Sequence, residues 1–171
     1  MDQIVLYSAM AEIFSAITIV IGAIFAAIQY TQYRKRERNR IAGDLCGRFS
    51  EPEFARAIAL LRRLPDGVDM QTMQSMDVEY EEAAQIVGMV FETMGLMVFK
   101  DVASFRLIQD LTGGLLLMMW RKLETWIRTT RIEQGNPRFG EWVQWLAERI
   151  AEKEADMIPA YDAYSGVRKL H

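Results

Sequence analysis

The sequence predicts an all-α protein: a single N-terminal transmembrane helix that continues into a stalk, then a cytoplasmic helical bundle. Three observations carry this. No formally charged residue occurs in the 21 positions from Ile13 to Tyr33. Five cations crowd the next seven positions, Arg34, Lys35, Arg36, Arg38 and Arg40. Beyond them almost nothing alternates with the two-residue period of a strand, whereas apolar residues recur three and four apart.

The charge-free run is the first element. A bilayer's hydrocarbon core is roughly 30 Å thick and takes about 20 apolar residues to cross. Tyr30 and Tyr33 fall where the helix would leave the hydrocarbon, the usual place for aromatic anchors. Positive charge stays on the cytoplasmic side, so residues 1–12 are expected as a short outer arm, 13–33 as the span and 34–49 as a basic stalk. A cleaved signal peptide needs its cations before the apolar stretch, and here they follow it. A buried core helix is the other alternative, and the adjoining basic cluster argues against it. The same cluster suits anionic lipid headgroups. Thr18, Gly22 and Ala26 lie four apart, the small-xxx-small spacing of close helix packing in membranes. That spacing also arises by chance in membrane helices.

The bundle is expected over residues 50–156, with a tail over 157–171. Ser50, Pro52 and Glu53 read as a capping box opening a helix with Phe54, Ala57, Ile58 and Leu61 on one face. Leu64-Pro65-Asp66-Gly67 closes it, and residues 67–76 read as a loop. A longer helix runs from Asp77 to Lys100. Its later half is apolar nearly all round, as a central helix is. It is also a candidate second span, disfavoured because Glu92 interrupts it. A short helix over Ser104–Leu111, a long one over Gly114–Glu133 and a last one over Arg138–Asp156 complete the bundle.

Charge and composition exclude several functions. Residues 1–40 carry a net +2 and residues 41–171 a net −5. An acidic main domain is a poor match for nucleic acid. One cysteine, Cys46, excludes an intrachain disulfide, and one histidine, His171, removes most histidine-dependent chemistry. The glycines at 113 and 114 match neither a dinucleotide fingerprint nor a P-loop, and the acids from Asp77 to Glu82 lack calcium-loop spacing. Cys46 has Arg40 and Arg48 as basic sequence neighbours, which favour a lowered thiol pKa. No cofactor or metal is expected.

Two residues stand out as site candidates. Glu92 is a candidate buried charge. A buried carboxylate needs compensation, and Arg106, Arg121 or Arg128 are possible partners. Trp145 falls outside the apolar stripe of the last helix, among Arg138, Glu141 and Arg149. It fits either a partner contact or packing within the domain.

The order of features is distinctive: an apolar span ending in Gln29-Tyr30-Thr31-Gln32, a basic stalk, and the segment Phe139-Gly140-Glu141-Trp142-Val143-Gln144-Trp145-Leu146. It resembles a group of small uncharacterised bacterial proteins with one N-terminal membrane helix and a cytoplasmic helical domain of unknown function. The resemblance implies the bacterial inner membrane and transfers no catalytic residue. The expected function is a membrane-anchored interaction protein, an accessory or regulatory subunit or a self-associating scaffold. Its expected partners are membrane lipid and another membrane protein or a second copy of itself. A carboxylate-dependent enzyme built on Glu92 and a sensor working through the stalk are the alternatives.

Overall fold

The computed structural model describes residues 2–154 and 158–163, and among them no strand occurs. In chain order the helices are α1 (Asp2–Gly47), α2 (Pro52–Leu61), α3 (Met70–Ser75), α4 (Val78–Phe99), α5 (Phe105–Glu133), α6 (Glu141–Glu154) and α7 (Ala160–Ala163), with a 3₁₀ turn at Arg48–Ser50 after α1. The protein is all-α, with a long apolar helix at its N-terminus. The reading of residues 157–171 as a tail falls largely outside the described residues.

At 1.5 Å per residue, the 46 residues of α1 extend about 69 Å without a break. Every residue from Glu12 to Arg36 is exposed. Packing then begins at Glu37 and Arg38, and Ala42 is fully buried. Ile41, Leu45 and Cys46 join the core beside it, at helical spacing. The lower part of α1 is therefore a wall of the bundle.

The turn after α1 differs from the capping-box expectation. Ser50 belongs to the 3₁₀ turn, and Glu51 takes the N-cap position of α2 in extended conformation, without a side-chain cap. Pro52 at the first helical position, with its φ fixed near the helical value, opens the helix without a side-chain cap. Phe54, Ala57, Ile58 and Leu61 are buried as their spacing predicts. Phe49 stacks on Phe54 at 4.9 Å, and Phe91 of α4 meets both rings edge-on at 6.0 and 6.1 Å. Such aromatic geometry adds to simple burial.

Residues 67–76 are not all loop. Asp69 caps α3 by accepting the Thr72 N–H at 2.7 Å, which buries Met73. Gly67, at φ +73°, donates its N–H to the Arg121 carbonyl, and Lys122 reaches the Leu64 carbonyl and Asp66. The α2–α3 connection is thus tied to α5.

Helix α4 is the central element, burying Ala83, Ala84, Val87, Phe91, Met94, Gly95 and Val98. Both α1 and α4 are long and apolar enough to cross a membrane. They differ in surroundings: a third of the apolar window of α4 is enclosed by the bundle, and none of that of α1 is.

The short and long helices expected over 104–133 are one helix, α5, opened by a Ser104 cap. Gly113 does not break it, because α6 packs there: an added Cβ would lie 3.3 Å from Ile150 Cγ2. Helix α6 starts three residues later than expected, because Gly140 at φ +66° ends the preceding turn.

Candidate functional site

Glu92, expected as a buried charge, is only half-buried; it lies on α4 facing the start of α6. One carboxylate oxygen, Oε2, accepts the backbone N–H groups of Trp142 and Val143 at 3.0 and 2.8 Å. Among the described residues it makes no ion pair. Arg106 faces Asp110 at 3.9 Å, and Arg128 binds Glu124 at 2.8 Å. The expectation of an arginine partner for Glu92 is corrected accordingly. The first N–H groups of a helix lack internal acceptors and carry partial positive charge, so a helix start compensates a carboxylate as a cation would. Sequence periodicity could not disclose this, because donor and acceptor are 50 residues apart.

A cation completes the same joint. Arg131 of α5 donates to the carbonyls of Phe139 and Gly140 at 2.7 and 3.0 Å and to Gln144 Oε1 at 2.7 Å. The entry to α6 is clamped from two sides: the carbonyls of the turn before it by Arg131, and the amides of its own first turn by Glu92. Gly95 sits one turn from Glu92, where α4 touches the backbone of α6. A Cβ there would collide with the Trp142 carbonyl. Beside the clamp lies a cleft of about 330 Å³, lined by Gln85, Gly88, Met89, Trp126 and Phe139.

Trp145 is half-buried, edge-on to Phe99 at 5.5 Å and to Trp142 at 6.5 Å. Phe99 itself remains 51% exposed at the end of α4.

The second region is the junction between the apolar part of α1 and the bundle. Arg38 binds Asp101 at 2.7 Å, and Arg34 reaches the same carboxylate at 3.5 Å. The Ser104 N–H donates to the Arg38 carbonyl. Asp101 holds a left-handed conformation at φ +58° in the α4–α5 turn. Arg40 points elsewhere, to Glu37 and Asp44 on its own helix, and its hydrogen bond holds the Glu37 carboxyl below the usual range. Lys35 and Arg36 are exposed. The five cations therefore divide: Arg34 and Arg38 meet Asp101 of the bundle, Arg40 is paired locally, Lys35 lines the cleft beside the junction, and Arg36 faces solvent.

Thr18, Gly22 and Ala26 lie in the bare part of α1. Thr18 Oγ1 donates to the Phe14 carbonyl, and among the described residues no other element lies within 4 Å of a Cβ added at Gly22. Burial raises the Cys46 thiol pKa, opposite to the effect expected from its basic sequence neighbours. Among the described residues no group of three or more metal-ligating side chains occurs.

These features define a class: an all-helical bundle joined through one unbroken helix to a bare apolar stretch long enough to cross a bilayer. The chain belongs to the family described as domain of unknown function DUF4760, which matches residues 16–150. The match starts inside the apolar run and ends within α6, so anchor-like helix and bundle fall in one family unit. No curated protein and no solved structure matches the chain.

Proposed function

We propose that this protein is a membrane-anchored interaction protein, an accessory or regulatory subunit of a membrane complex or a self-associating scaffold. The observation that supports it most is the bare stretch of α1: 25 consecutive exposed residues from Glu12 to Arg36, apolar over Ile13–Tyr33, joined without a break to a folded domain. A contiguous apolar surface of that size needs lipid or another protein to cover it. The 21 charge-free positions extend about 31 Å, the thickness of the hydrocarbon core. The basic cluster supports an orientation with the bundle on the cytoplasmic face and the N-terminus outside, and the membrane in this reading is a bacterial inner membrane. The unbroken helix also supports the sensor reading, since displacement of the span would reach Ala42 in the core directly.

Topology is tested by a reporter fused after His171. It should behave as cytoplasmic, and neutralising all five cations should weaken that bias. Periplasmic activity of the unmodified fusion would refute the orientation. Self-association within the membrane is tested by Gly22→Leu. Among the described residues no other element lies within 4 Å of a Cβ added at Gly22, so loss of cross-linked dimer with intact insertion would report a contact between copies. Unchanged cross-linking would mean that Thr18, Gly22 and Ala26 face lipid.

A further inference from the structure

Between α1 and the α4–α5 turn lies a cleft of about 590 Å³, lined by Tyr30, Thr31, Arg34, Lys35, Arg38, Asn39, Asp101, Ser104 and Arg106. We propose that this cleft binds the phosphate headgroup of an anionic phospholipid. The inference rests on the membrane-anchored reading above and assigns a ligand class to the junction.

Depth is the first argument. Arg34 lies about 1.5 Å and Arg38 about 7.5 Å along the helix axis beyond Tyr33, where the span ends. The headgroup layer of one leaflet is roughly 5–7 Å deep. The Arg34 and Arg38 contacts with Asp101 therefore hold the α4–α5 turn at headgroup level. Packing on α1 starts only at Glu37, so this turn lies nearest the span.

Charge is the second argument. Arg34, Lys35, Arg38 and Arg106 line the cleft; its one lining carboxylate, Asp101, is shared by Arg34 and Arg38, and Arg106 faces Asp110 of its own helix at 3.9 Å. Arg106 comes from α5, so the cluster is assembled by the fold and exceeds the basic run visible in α1. A lipid fits better than free phosphate because the bare apolar surface of α1 adjoins the cleft, where the acyl chains of the same molecule would lie.

The test uses the full-length protein in nanodiscs of mixed phosphatidylcholine and phosphatidylglycerol, with native mass spectrometry counting retained phosphatidylglycerol. Lys35→Gln and Arg106→Gln should each lower retention about fivefold. Arg106 is 92% exposed, so its replacement does not endanger folding. Arg36→Gln, outside the cleft, should change retention by less than about twofold. An equal loss on Arg36→Gln, or no preference for phosphatidylglycerol, would overturn the cleft. So would displacement of the lipid by millimolar inorganic phosphate, which would assign the site to free phosphate. Alkaline carbonate extraction separates the two levels. A wild-type protein released into the supernatant defeats the anchored reading and the cleft together. One that stays in the pellet without lipid preference defeats the cleft alone.

Discussion

Gly95→Val is expected to lower the stability of the bundle by about 3 kcal/mol, the upper end of the usual overpacking cost. The size follows from what the new side chain meets. Most overpacked sites relax because the opposing atom ends a flexible side chain. Here it is the main-chain carbonyl of Trp142, fixed in the first turn of α6. Relief requires α6 to move off α4 as a unit, drawing Trp142 and Trp145 from Phe99. Two of the four tryptophans lie at this joint, so fluorescence of the full-length protein in detergent would report the separation during thermal or urea unfolding. A variant that melts with wild-type stability and an unshifted emission would show that the helices do not approach this closely.

Replacing Glu92 should separate the charge from the hydrogen bonds. Glu92→Ala removes the acceptor of two helix N–H groups and is expected to cost about 3 kcal/mol. Glu92→Gln keeps an amide oxygen in nearly the same place and loses only the attraction of the carboxylate for the helix start, about 1 kcal/mol. This order is specific to a capping role. An ion-pair role would make Glu92→Gln nearly as damaging as Glu92→Ala, because the abandoned arginine would stay uncompensated. A catalytic role would leave Glu92→Gln folded and stable while a deletion strain failed complementation. Equal losses for the two variants would reject the cap.

The joint shows how far the sequence could be read. Glu92 attracts notice because it interrupts an apolar run, from which burial and a compensating partner are expected; the structure leaves it half-buried but compensated. The compensating group could not be identified, because helix-start amides belong to every residue type. An arginine is the partner that sequence can name, and the backbone is the one found. Gly95 gives no signal of its own, since a glycine in a helix reads as tolerated until a backbone is placed against it. Gly113 and Gly114 mislead in the opposite direction. Two adjacent glycines suggest a break, yet packing of Ile150 holds Gly113 within one 29-residue helix.

The sequence by itself determined the fold class and the bare helix. A charge-free run of 21 residues and three-to-four periodicity follow from composition and order, and each depends only on local chemistry. It also determined most of the α2 and α4 core faces, because burial of one helical stripe is periodic. The tertiary structure decided which side chains meet across long separations. It showed that Arg38 meets Asp101, that Glu92 meets the start of α6, and that the foot of α1 is part of the bundle wall. It also brought Arg106 to the same cleft as Arg34, Lys35 and Arg38. The physical reason is that helix formation is governed by neighbours within about four residues, whereas these contacts depend on how helix surfaces interlock and on backbone groups that sequence does not distinguish.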